Sequence, residues 1–169
     1  MFNYCHYIRR MKQFIAFLLL VLFATACKTI RPDTRNPENN GTLVASMERT
    51  PCFGRCPVYS VKIYDTGLLV YEAKKFADTT GCFYRVLSKQ EMAGLRESFN
   101  RAGFFKLADK YPEEAKAPTD LPSCIVFYTD GTAQKTVTDK RWETPETLTR
   151  LEKGLDSLIH AGILHNCDN

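Results

Sequence analysis

Histidine is scarce in this chain: three in 169 residues, at His6, His160 and His165. A Ser/His or Cys/His catalytic pair therefore has little material to draw on, and so does a histidine-built metal centre. No Gly-rich phosphate loop, His-Glu-x-x-His or Gly-x-Ser-x-Gly pattern occurs. The familiar marks of nucleotide binding, zinc hydrolysis and serine hydrolysis are thus missing. No carboxylate pair stands out, and no cofactor or metal is expected. Long apolar runs are missing too. The longest, Phe14 to Ala26, has 13 apolar or small residues with Thr25 as its only hydroxyl. A spanning helix needs about 20 such residues. Nor is there a strong excess of one charge. The formal net charge is +4, but residues 1–26 hold Arg9, Arg10 and Lys12 and no acid, and the rest carries 20 Lys+Arg against 19 Asp+Glu. A near-neutral domain has no electrostatic footprint for nucleic acid. Internal repeats and low-complexity blocks are also missing.

What is present begins with an address. A positive segment followed by a short apolar one reads as a secretory leader over residues 1–26. Met11 alone already starts a normal leader, so Met1 to Arg10 can be an upstream start. The run ends Ala24-Thr25-Ala26-Cys27, which resembles the lipobox of bacterial lipoproteins, with Ala24 where Leu is commoner. That resemblance implies cleavage before Cys27, acylation of its sulfur and membrane attachment through the lipid, since several acyl chains give stable anchoring. The segment 27–42, with KTIRPDTRNPENNG at 28–41, has two prolines, three asparagines and almost nothing apolar. It reads as a tether whose 14 residues span ~20 Å as a flexible coil. No acidic cluster follows Cys27, so the expected location is the bacterial cell envelope, at the outer membrane and facing the periplasm.

With 44% hydrophobic and 25% charged residues the composition is that of an ordinary globular chain. Globular patterning runs over 43–163, followed by a short tail, 164–169. Strands are predicted at Leu43 to Met47, at the alternating stretch Val58 to Tyr64, at Leu68 to Ala73 after Asp65-Thr66-Gly67, and at Cys82 to Leu87. Ser88 and Glu91 form a capping-box pattern. Met92, Leu95, Phe99 and Ala102 then make one helical stripe, ended by Gly103. Cys124 to Thr129 and Thr132 to Thr138 flank Asp130-Gly131, read as a two-residue hairpin. A last helix is predicted with Thr144 as cap, Pro145 in the first turn, Leu148, Leu151, Leu155, Leu158 and Ile159 on its face, and Gly162 beyond its end. Strands, helix, hairpin, helix is not an alternating order. The expectation is a single α+β domain, a mostly antiparallel sheet of about five strands with two helices packed on one face.

Arg49-Thr50-Pro51-Cys52-Phe53-Gly54-Arg55-Cys56-Pro57-Val58-Tyr59, then Asp65 and Gly67, then Thr119-Asp120-Leu121-Pro122-Ser123 resembles the uncharacterised domain of unknown function 6438 family, over about Leu43 to Ile159. The resemblance implies small bacterial lipoproteins and secreted domains. It implies no activity.

Beyond Cys5 in the leader and Cys27, the cysteines are Cys52, Cys56, Cys82, Cys124 and Cys167. An exported compartment favours disulfides. Cys52 and Cys56 are the first expected pair, because Gly54 permits a tight backbone between them. Cys82 with Cys124 is a candidate second pair if their strands adjoin. The competing reading of Cys52-x-x-x-Cys56-Pro57 is thiol-redox or copper handling, since the pattern resembles the copper-binding loop of Sco-type assembly proteins and soft thiolates suit Cu(I). In such folds the motif opens a helix, whereas here a strand is predicted after it. Thr119 and Asp120 are a candidate pocket or turn motif. Lys140-Arg141-Trp142 is a candidate partner-binding knob or a packing element before the last helix. Lys74 and Lys75 read as a solvated strand end, and His160 as a cation near a helix C-terminus. The functional expectation is a non-enzymatic, lipid-anchored envelope domain that binds an envelope protein or another ligand, or has a structural role.

Overall fold

A computed structural model describes residue 33 and residues 37–112 and 121–167, all within the unit Pro32–Asn169. The leader, Cys27, Thr119 and Asp120 lie outside the described residues. So do most of the tether and the last two residues of the tail.

The elements follow in the order β1 (Leu43–Arg49), β2 (Val58–Tyr64), β3 (Leu68–Lys75), β4 (Gly81–Val86), α1 (Lys89–Ala102), β5 (Lys110–Tyr111), β6 (Cys124–Thr129), β7 (Gln134–Asp139), α2 (Glu146–His160) and β8 (His165–Asn166). One eight-stranded sheet has the order β5-β7-β6-β1-β2-β3-β4-β8. Every pairing is antiparallel except β5 with β7. The α+β class holds, but the expected antiparallel sheet of about five strands is corrected to a mixed sheet of eight. The physical reason is length. The edge strands β5 and β8 have two residues each, too few to show any alternation. β5 can run parallel to β7 because no hairpin joins them: β6 lies between them in the chain and runs antiparallel to β7.

One face of the sheet carries the main core. Ala45, Met47, Val61, Ile63, Leu69, Tyr71, Val126, Tyr128 and Val137 meet Met92, Leu95 and Phe99 of α1 and Leu148, Leu151, Leu155 and Ile159 of α2 in a single buried cluster. Phe99 stacks on Tyr128 with ring centroids 3.9 Å apart, and Phe104 meets Phe99 edge-on at 5.0 Å. A smaller cluster of Tyr64, Leu68 and Val70 occupies the opposite face.

Local chemistry explains the boundaries. Ser88 accepts a hydrogen bond from the Glu91 amide, and the Glu91 carboxylate accepts from the Ser88 amide at 2.8 Å, so the capping box starts α1. Glu91 also accepts from Arg85 Nη2 at 2.6 Å, while Arg85 Nε donates to the Leu158 carbonyl at 3.0 Å. One buried guanidinium thus ties the first turn of α1 to the last turn of α2. Between β2 and β3, Gly67 has φ +87°, and a Cβ there would sit 2.8 Å from the Leu87 carbonyl oxygen, so only glycine fits. The β6–β7 connection differs from the expected two-residue turn: β7 begins at Gln134 and the loop has four residues. Asp130 Oδ1 accepts from the Thr132 amide, the Thr132 hydroxyl and the Ala133 amide, each at 2.8 Å. That side chain closes the loop in place of two positive-φ residues. Thr144 does not cap α2; its hydroxyl donates to Asp139 Oδ1 at 2.7 Å instead.

Candidate functional site

The strand directions gather four connections at one end of the sheet. β1 ends where β2 and β6 begin, β3 ends where β4 begins, and β7 ends beside the start of β6. Residues 50–57, 76–80, 121–123 and 140–145 therefore emerge together, while β1 starts at the far end.

Several devices stiffen these connections. Cys52 and Cys56 are joined by a disulfide with Cα atoms 5.8 Å apart, between Pro51 and Pro57. The Gly54 amide donates to Cys52 Sγ at 3.2 Å. The Thr50 amide donates to the Ser123 carbonyl at 2.9 Å, and the Ser123 amide returns a bond to Thr50 Oγ1 at 2.8 Å. Asp139, buried, accepts from the Arg141 amide and the Thr144 hydroxyl, each at 2.7 Å. Arg141 and Glu143, on either side of Trp142, hold φ of +57° and +58°, and Phe76 holds +54°. These three non-glycine residues take a backbone that L side chains adopt only under constraint. The constrained loops present Phe53 at 94% exposure, Phe76 at 52% and Trp142 at 46%. The Arg55 guanidinium lies over the Phe76 ring, 5.5 Å from its centroid, and so joins two of the loops.

Beneath the loops lies a polar row. Asp139, Cys124, Arg49 and Tyr59 are register partners across β7, β6, β1 and β2, and Glu152 and Asp156 of α2 close over them. Arg49 Nη2 donates to Asp156 Oδ2 at 2.7 Å and Arg49 Nε to the Tyr59 hydroxyl at 2.7 Å, and that hydroxyl donates to Asp156 Oδ1. Arg49 Nη1 is 3.5 Å and Arg141 Nη1 3.8 Å from Glu152 Oε2. Glu152 Oε1 is buried with no hydrogen-bond partner among the described residues. Burial, and then the negative charge of Asp139, push the Glu152 carboxyl up to about 7 against the pull of Arg49. Burial raises the Cys124 thiol well above the usual thiol range, and the Glu152 charge adds to it. Burial and the bond to Asp156 likewise raise the Tyr59 phenol. A protonated buried thiol is no nucleophile. The row acts as a clamp that fixes α2 and the roots of the loops.

Cys52 and Cys56 are bonded and lead directly into strand β2. His160 ends α2, and His165 lies against Tyr84 on β4 at 5.5 Å. The pairing of Cys82 with Cys124 is corrected: Cys82 is bonded to Cys167, and Cys124 is free and buried. Cys82 and Cys124 sit on strands four places apart and on opposite faces. At ~4.8 Å per strand that separation far exceeds the ~6 Å a disulfide spans. Cys167 follows β8, whose pairing with β4 brings its amide to the Cys82 carbonyl at 3.0 Å. Thr119 and Asp120 lie outside the described residues. Lys74 and Lys75 are exposed at the loop end. Reading the sequence missed Arg49, Tyr59, Glu152 and Asp156. The signal was there in Glu152, a carboxylate one helical turn from both Leu148 and Leu155 and buried with them. A charge on an apolar stripe needs a partner.

Fold and site define a class: a small disulfide-bonded α+β domain with two helices on one face of a sheet and a cluster of stiffened loops at one end. Residues 44–159 match the family model described as Domain of unknown function (DUF6438), and the chain belongs to that family. No curated relative matches the chain.

Proposed function

We propose that this protein is a lipid-anchored component of the bacterial cell envelope whose globular domain is a non-enzymatic binding module, with the loop end of the sheet as its binding face. One observation carries the binding reading. Phe53, Phe76 and Trp142 are three of the five large hydrophobic side chains that are exposed among the described residues, and all three stand on constrained loops at the same end. Large exposed aromatics held rigidly in one place are the usual mark of an interaction surface, and stiff loops lower the entropy lost on binding. The anchoring reading is supported by the leader and the small residues before Cys27, and the two disulfides suit an oxidising compartment. Strand β1, which follows the tether in the chain, starts at the end of the sheet away from the loops. The outer membrane, facing the periplasm, is the proposed site.

Two measurements test this. Wild-type protein is expected to incorporate labelled palmitate and to fractionate with membranes, while Cys27→Ala does neither; membrane retention of that variant defeats the anchor. For the binding face, photo-crosslinkers placed in cells at Phe53 are expected to form adducts that the same group at Thr132, at the other end of the sheet, does not. Equal adducts from both ends refute the assignment of the face.

A further inference from the structure

We infer that the loop end docks on an anionic lipid surface. The inference rests on the reading of that end as the binding face and names what it binds. Three features point there. The first is shape. Phe53 stands 94% exposed at the tip of a loop closed by Cys52–Cys56. Trp142 and Phe76 leave the sheet at β7 and β3, four strand positions apart, a span of ~20 Å at ~4.8 Å per strand. A row of separate protruding rings suits a flat, yielding surface better than a single rigid partner with matching pockets. The described cavities, of about 270–320 Å3, lie elsewhere: between the two helices, and by the Asp65–Gly67 turn at the other end.

The second feature is charge. The segments 50–57, 74–80 and 140–145 hold Arg55, Lys74, Lys75, Lys140 and Arg141 against Asp78 and Glu143. Among the described residues Arg55, Lys75 and Lys140 make no ion pair. Their charges are free to meet phosphate headgroups. Each cation near an anionic bilayer strengthens binding about fivefold, so the three that make no ion pair give up to roughly a hundredfold. The third feature is the pairing of residue types. Aromatic rings settle at the headgroup level while neighbouring Lys and Arg reach the phosphates. Arg55 over Phe76 already places a guanidinium against a ring.

The chain's single tryptophan is Trp142, so its emission reports on the loop end alone. The test uses the full chain carrying Cys27→Ser. It is mixed with vesicles of phosphatidylcholine and with vesicles of phosphatidylcholine and phosphatidylglycerol in equal parts. The apolar run 14–26 is present in every sample, so attachment by itself is not the readout; the surroundings of Trp142 are. Emission is expected to shift to the blue, and to be quenched by brominated lipid, with the anionic vesicles at roughly a hundredfold lower lipid than with the zwitterionic ones. Phe53→Ser, which changes a side chain in open solvent, is expected to raise the lipid needed about tenfold through its lost apolar burial. Unshifted emission, or a shift that ignores both lipid charge and Phe53→Ser, overturns the inference. A shift produced by a soluble anionic polysaccharide but not by vesicles also overturns it, while leaving the loop end as the binding face. Loss of the Phe53 adducts in cells removes the face itself.

Discussion

Glu152 is where the packing and the charge of this domain conflict. It occupies a core position on α2, 2% exposed, with one carboxylate oxygen unpartnered among the described residues. Arg49 and Arg141 approach its other oxygen at 3.5 and 3.8 Å, longer than good charge-assisted bonds. Its folded carboxyl titrates near 7, above the usual value of 4.5. The sign follows from linkage. The folded state holds this proton more tightly than the unfolded chain, so the contribution is whole below about pH 4.5 and lost as pH rises through about 7. The span corresponds to about 3 kcal/mol. Glu152→Gln keeps the shape and removes the titration. Its urea midpoint is expected to stay level between about pH 5 and about pH 8 where the wild type falls. Parallel falls in the two proteins would show that Glu152 is not the group responsible.

At the scale of elements, the two helices carry glycines that packing does not ask for. Gly94 in α1 and Gly154 in α2 line the same groove between the helices, and a Cβ added at either meets nothing within 4 Å. A mid-helix glycine costs about 0.5–1 kcal/mol relative to alanine. Gly154→Ala is therefore expected to raise the stability of the domain by about 0.5–1 kcal/mol, read as a higher denaturant midpoint at unchanged slope. A lower midpoint would mean that the groove closes on that position in solution. The elements also show what a sequence reveals and what it hides. α1 was readable to the residue because Ser88, Glu91 and Gly103 each act locally. The strand alternation from Tyr59 to Ile63 was readable because Val61 and Ile63 are buried while Ser60 and Lys62 between and beside them are only half-buried. β5 and β8 were hidden because two residues carry no period and their pairing is decided by distant chain. Cys82 illustrates the same limit. Its partner depends on strand order and on which face it occupies, and Cys124 is excluded only once β4 and β6 are seen four places apart. The clamp of Arg49, Tyr59 and Asp156 joins residues about a hundred positions apart, and nothing local to any of them announces the others.

For the whole molecule, the two disulfides do unequal work. Cys52–Cys56 closes a separation of 4 residues and Cys82–Cys167 a separation of 85. In the chain-entropy account the first restrains the unfolded state by about 2 kcal/mol and the second by about 4.5 kcal/mol. The longer bridge also holds β8 on β4. β8 pairs through only Phe83↔Asn166 and Tyr84↔His165, too short a ladder to persist alone. The shorter bridge keeps the loop carrying Phe53 in one shape and touches no part of the core. Cys167→Ser is therefore expected to lower the unfolding midpoint by more than twice as much as Cys52→Ser, and to leave the Trp142 response to anionic vesicles in place. Cys52→Ser is expected to lose about 2 kcal/mol while staying folded and to weaken that response, because Phe53 is then no longer held out. Thermal unfolding of the two variants, beside the vesicle titration, separates the roles. Equal losses of stability would overturn the chain-entropy account of the two bridges, and a vesicle response that follows Cys167 rather than Cys52 would mean that the short bridge does not hold Phe53 in place.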